Sequence, residues 1–150
     1  MTTDPKRELF RHLIATVAFR TKVAVSNARA DFANFRINET IRTPGEILAH
    51  MGDLLEGSLY LLKGEFVILN SAPLAWNDEV KRFFGAVKKI DAYLASNTPL
   101  AQPVEKMIQG PIADGLTHVG QLIMLRRAAG DPAAPEGYFT AEIIPGEEWI

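Results

Sequence analysis

Apolar side chains recur at helical spacing in four separate stretches of this chain. The first covers about residues 5 to 26, where Leu9, Leu13, Val17 and Ala24 mark one stripe beside Phe10, Ile14 and Val25. Asp4 is placed to cap it, and Pro5 suits its first turn. The second covers about residues 44 to 63. Thr43 serves as N-cap, Pro44 opens the helix, Glu46 completes a capping box, and Gly64 ends it. The third covers about residues 77 to 96, with Val80, Phe83, Phe84, Val87, Ile90 and Leu94 facing the core and Asn97-Thr98-Pro99 as the stop. The fourth covers about residues 111 to 129, with Gly130 just past its end and Pro132 beyond.

Connections of about 11 to 17 residues join these helices, longer than the roughly 2–8 residues usual in bundles. Phe32, Phe35, Val67, Ile68 and Trp76 are expected to tuck against the bundle, and a short helical turn is expected after Pro103. Strand signals are weak and confined to 65–70 and 138–144. From Asp131 onward the tail is rich in Pro and Gly, yet Tyr138, Phe139, Ile143, Ile144 and Trp149 give it apolar anchors for the bundle or a second subunit. The fold class is all-α: one domain over residues 1–150, a four-helix bundle over about 4–130 and an irregular tail over 131–150.

Composition narrows the chemistry. A net charge of −2 argues against nucleic acid, and the pairs Lys81–Arg82, Lys88–Lys89 and Arg126–Arg127 read as solvated helix faces. The chain has no cysteine, so disulfides, thiolate metal sites and a cysteine nucleophile are excluded. Any thiol must come from outside. The first ten residues, MTTDPKRELF, lack the apolar stretch of a secretory leader, and the least charged segment, 107–125, is broken by Pro111 and polar side chains. A cytoplasmic protein that does not enter a membrane is expected.

That segment, MIQGPIADGLTHVGQLIML, carries a single charge, Asp114. On a helix Asp114, His118 and Gln121 share one face, while Ile112, Leu116, Val119 and Ile123 form an apolar stripe nearly opposite. A helix with two such faces and no surface charge is expected to be covered on both, with the polar stripe toward a cavity. Gly115 and Gly120 suggest a close backbone approach there, or simply tight packing. On the second helix Glu46, His50, Asp53 and Gly57 lie within about 60° of one another. Gly57 leaves room for a ligand two turns from His50, or simply lets helices approach. Two helical histidines and a carboxylate suit a facial site for zinc, nickel, manganese or iron with open positions. Asp114–His118 as a plain buried hydrogen-bonded pair is the other reading, and His12 reads as an ordinary helical histidine. No phosphate loop, dinucleotide fingerprint or serine elbow is present.

The segments RTPGEILAHMGDLL (42–55) and GPIADGLTHVGQLIMLRRAAG (110–130) resemble the DinB/YfiT-like superfamily of helical-bundle metalloenzymes, a likeness spanning about residues 4 to 130. That family has one histidine on its second helix, matched by His50, and H-x-x-x-H-x-G-Q on its fourth, whose second half is matched by His118-Val119-Gly120-Gln121. Asp114 stands where the family has its first fourth-helix histidine, which favours a harder metal or weaker binding. The resemblance implies an up-down-down-up bundle, frequent homodimers, a divalent metal (zinc or nickel first, manganese or iron next) on His50, Asp114 and His118, and Gln121 orienting a ligand. It implies a hydrolase or thiol-dependent transferase acting on a small molecule, a low-molecular-weight thiol being one partner. A non-catalytic bundle that binds a small molecule or a protein is the alternative.

Overall fold

The computed structural model describes residues 4–150. Among them the chain forms helices α1 (Pro5–Val25), α2 (Pro44–Leu62), α3 (Trp76–Ala95), α4 (Val104–Met107) and α5 (Ala113–Ala128), with no strand. A π turn, Ile108–Ile112, joins α4 to α5, so these pieces form one continuous fourth helix. The sequence pattern places its start near residue 111; it begins at Val104 instead. Pro111 has no N–H to donate and its ring crowds the preceding turn. Widening that turn accommodates Pro111 without ending the helix, and it sets the phase at which Asp114 and His118 emerge.

Caps fix the other ends. Thr43 Oγ1 accepts the Glu46 N–H at 3.2 Å, and the Glu46 carboxylate accepts the Thr43 N–H at 2.8 Å, completing the capping box. Asp4 caps α1 by accepting the Lys6 N–H at 3.0 Å. Past α2, Gly64 turns the chain at φ +84°, a conformation that disfavours a side chain.

α3 packs on both α1 and α2, and α5 packs on the same two helices. Arg7 at the start of α1 donates to the carbonyls of Leu94 and Ser96 at the end of α3, so α1 and α3 run oppositely. Arg126 at the end of α5 donates to the carbonyls of Ala24 and Ser26, so α5 runs with α1. Arg82 early in α3 reaches Ala49, and Tyr93 late in α3 reaches Leu62, so α2 and α3 run together. Phe10, Ile14, Leu48, Met51, Phe83, Ile90, Ile112 and Leu122 fill the centre.

Several expectations change. Leu9 is 63% exposed: α1 buries the line through Phe10, Ile14, Val17, Ala18 and Thr21, because it is gripped by α3 on one side and α5 on the other. Phe32 is buried with Trp76 edge-on against it, as expected, but Ile68 is 82% and Val67 39% exposed. The 65–70 and 138–144 stretches are not strands, since no sheet edge exists among the described residues to pair them. Arg82 and Arg126 are not solvated; each is turned inward onto several acceptors. In the tail Trp149 is buried, Ile143 packs on the core and Tyr138 lies under Arg20 at 3.9 Å, whereas Phe139 and Ile144 face solvent. No helix among the described residues is long and apolar enough to cross a membrane.

Candidate metal centre

The antiparallel packing of α2 on α5 brings three side chains together. His50 stands midway along α2, and Asp114 and His118 lie one turn apart at the start of α5. His50 Nε2 is 3.5 Å from Asp114 Oδ2, and His118 Nε2 is 3.4 Å from Asp114 Oδ1. The imidazoles meet edge to face, with centroids 4.8 Å apart. One donor atom from each residue lies within 4.8 Å of the other two. Donors around one ion at bonds of about 2.1 Å stand roughly 3 to 4 Å apart, so a small closure suffices to hold a divalent metal. Two imidazoles and one carboxylate suit the borderline first-row ions.

His118 is the most enclosed of the three, with 11% of its side chain exposed against 33% for His50 and 47% for Asp114. Its Nδ1–H donates to Gln121 Oε1 at 2.8 Å. That bond leaves the Nε2 lone pair directed at Asp114 and His50, the tautomer a metal ligand needs. Thr117 donates to the Asp114 carbonyl at 2.7 Å.

The four residues sharing a face of α2 divide in their roles. Glu46 is taken up by the capping box and by Arg36 at 3.3 Å. Asp53 accepts from the Ser71 N–H at 2.8 Å, from the Ser71 hydroxyl at 2.7 Å and from Arg82. Burial pushes its carboxyl up, but these donors outweigh that and hold it below the usual range. His50 is left for the triad. Gly57 lines a cavity of about 470 Å3 beside it, together with Leu54, Leu61, Phe66, Ile68, Pro111 and Asp114. A Cβ at Gly57 would meet only the Val67 carbonyl oxygen, at 4.0 Å, so this glycine opens space and does not serve helix contact.

Two expectations about α5 fail. A Cβ at Gly115 or Gly120 would meet nothing within 4 Å, so neither marks a close approach. Nor is the helix covered on both faces: Asp114, Thr117, Gly120, Gln121 and Met124 are all exposed. Sequence reasoning missed Arg82. Its guanidinium binds Asp53, Glu56 at 3.0 Å, Glu79 at 3.4 Å and the Ala49 carbonyl at 3.1 Å. The i,i+3 pairs Asp53–Glu56 and Glu79–Arg82 were the available signal. Gly52 makes the crossing possible, since a Cβ there would lie 2.9 Å from Arg82 Nη1. Comparison with protein-family models, with curated proteins and with solved structures finds no match to this chain.

Proposed function

We propose that this chain is a metal-dependent enzyme of the DinB/YfiT-like type that activates a water or low-molecular-weight thiol against a small-molecule substrate. The convergence of His50, Asp114 and His118 on one point beside a cavity carries this reading. The pairwise helix directions suit an up-down-down-up bundle, which supports it further. A divalent ion, zinc or nickel in the first place, supplies Lewis acidity that lowers the pKa of a bound nucleophile. The residues do the rest. Gln121 fixes the His118 ring, Asp114 offsets part of the cationic charge, and His50 stands at the rim where a substrate enters. A cytoplasmic homodimer belongs to the same proposal.

Three protein donors leave at least one position open. The test is the cobalt(II)-loaded protein titrated with 2-mercaptoethanol and, separately, with hydroxide. A thiolate-to-cobalt charge-transfer band, or a visible spectrum that changes with a single ionisation near neutral pH, is expected. A spectrum indifferent to both denies an open position and leaves a structural ion or a non-catalytic bundle.

A further inference from the structure

We propose that the cavity beside the triad takes an uncharged apolar body joined to a short metal-binding head, so that the substrate is an aliphatic or aromatic small molecule. The inference rests on the metal reading above and deepens it. The cavity's volume of about 470 Å3 suits a ligand, not a single water. Its walls come from Leu54 and Leu61 of α2, from Phe66 and Ile68 of the segment after α2, and from Pro111 of the π turn. The floor is open because Gly57 contributes no side chain.

The polar side chains of the lining are already engaged. Asp53 is held by Ser71 and Arg82, the Ser58 hydroxyl donates to the Leu54 carbonyl at 2.6 Å, and His50 and Asp114 belong to the triad. No Lys or Arg lines this cavity. A phosphate ester or an anionic tail would therefore lose hydration without meeting a cation. An apolar body would instead cover Phe66 and Ile68, which are 79% and 82% exposed. These two side chains stand at the rim of a cavity that reaches two of the three donors, His50 and Asp114.

The experiment uses the zinc-loaded full chain and three hydroxamates of one head group: acetohydroxamic acid, hexanohydroxamic acid and adipic acid monohydroxamate. Each methylene moved from water into an apolar site is worth up to about fourfold in affinity. Calorimetry should give the hexanoyl compound at least about tenfold tighter binding than the acetyl compound. The carboxylate-ended chain should lose most of that gain. Gly57→Leu and, independently, the surface change Ile68→Ser should each narrow the hexanoyl-to-acetyl ratio. Equal affinities for the hexanoyl and acetyl compounds, or tighter binding of the carboxylate-ended one, overturn the proposal and leave the metal site standing. Failure of the chain to bind zinc removes the metal reading itself, and this proposal with it.

Discussion

Replacing Arg82 by Met keeps the length and the apolar stem of the side chain but removes the one cation among three acids. Glu79 is 0% exposed and Asp53 7%, while Glu56 is 30% exposed and partly solvated. Breaking a buried pair by deleting one partner costs about 3–5 kcal/mol, because the other charge stays buried without compensation. For a domain of this size 1 kcal/mol moves Tm by about 2–4 °C, so Arg82→Met should melt roughly 6 to 20 °C below the parent at pH 7. The pH dependence is the sharper test. In the parent, Asp53 has a folded pKa below its unfolded value. Its contribution is therefore present above the unfolded pKa, near 3.8, and is lost as pH falls through the lower folded value. Without the guanidinium, Asp53 keeps its two Ser71 donors but loses part of what opposes burial, so its carboxyl rises from the parent's lowered position. The folded variant then takes up a proton at higher pH than the folded parent does, so the deficit shrinks as pH falls from 7 toward 4. Urea unfolding followed by circular dichroism at pH 7, 5.5 and 4 measures this. A deficit under about 1 kcal/mol at pH 7, or one that stays constant across the range, refutes the reasoning. Adding Glu79→Gln should recover part of the loss.

Gln121→Leu should weaken zinc binding by about 10- to 100-fold with little change in apo stability, since it frees the His118 ring while its own side chain is exposed; competition with a chromogenic chelator reads the affinity. Asp114→His should raise affinity for zinc and nickel relative to manganese, measured by the same competition, because it exchanges a hard oxygen for an imidazole. Gly52→Ala should destabilise by displacing Arg82 from its acceptors, and thermal melts of Gly52→Ala in the Arg82→Met background should show most of that penalty gone. Trp149→Ala should cost about 3–5 kcal/mol in urea unfolding, because Trp149 anchors the tail in the core and is 7% exposed.

The helices are legible because their ends are written in local chemistry. Thr43-Pro44 with Glu46 three residues past the cap specifies the start of α2, and the structure begins that helix at Pro44. The Asp114–His118 pairing on one face also follows from local spacing. That His50 faces the same point does not, because it depends on α2 packing against α5, which no spacing within either helix encodes. In the sequence that link rests on family resemblance alone. The inward turn of Arg82 and Arg126 was hidden by their neighbours Lys81 and Arg127. Two adjacent cations on a helix lie about 100° apart, so one can be solvated while the other is buried. Val67 and Ile68 misled for a related reason. Apolar side chains usually signal core, and here Phe66 and Ile68 form the rim of a cavity, where a ligand would supply the missing contact.

The most direct test of the account is an anomalous-difference map at the zinc edge from crystals of the untagged chain grown with zinc. One peak per chain is expected, bonded to His50 Nε2, His118 Nε2 and a carboxylate oxygen of Asp114, with a further position turned toward Gly57. A map with no peak among these three side chains, or with zinc bound only elsewhere on the surface, contradicts it.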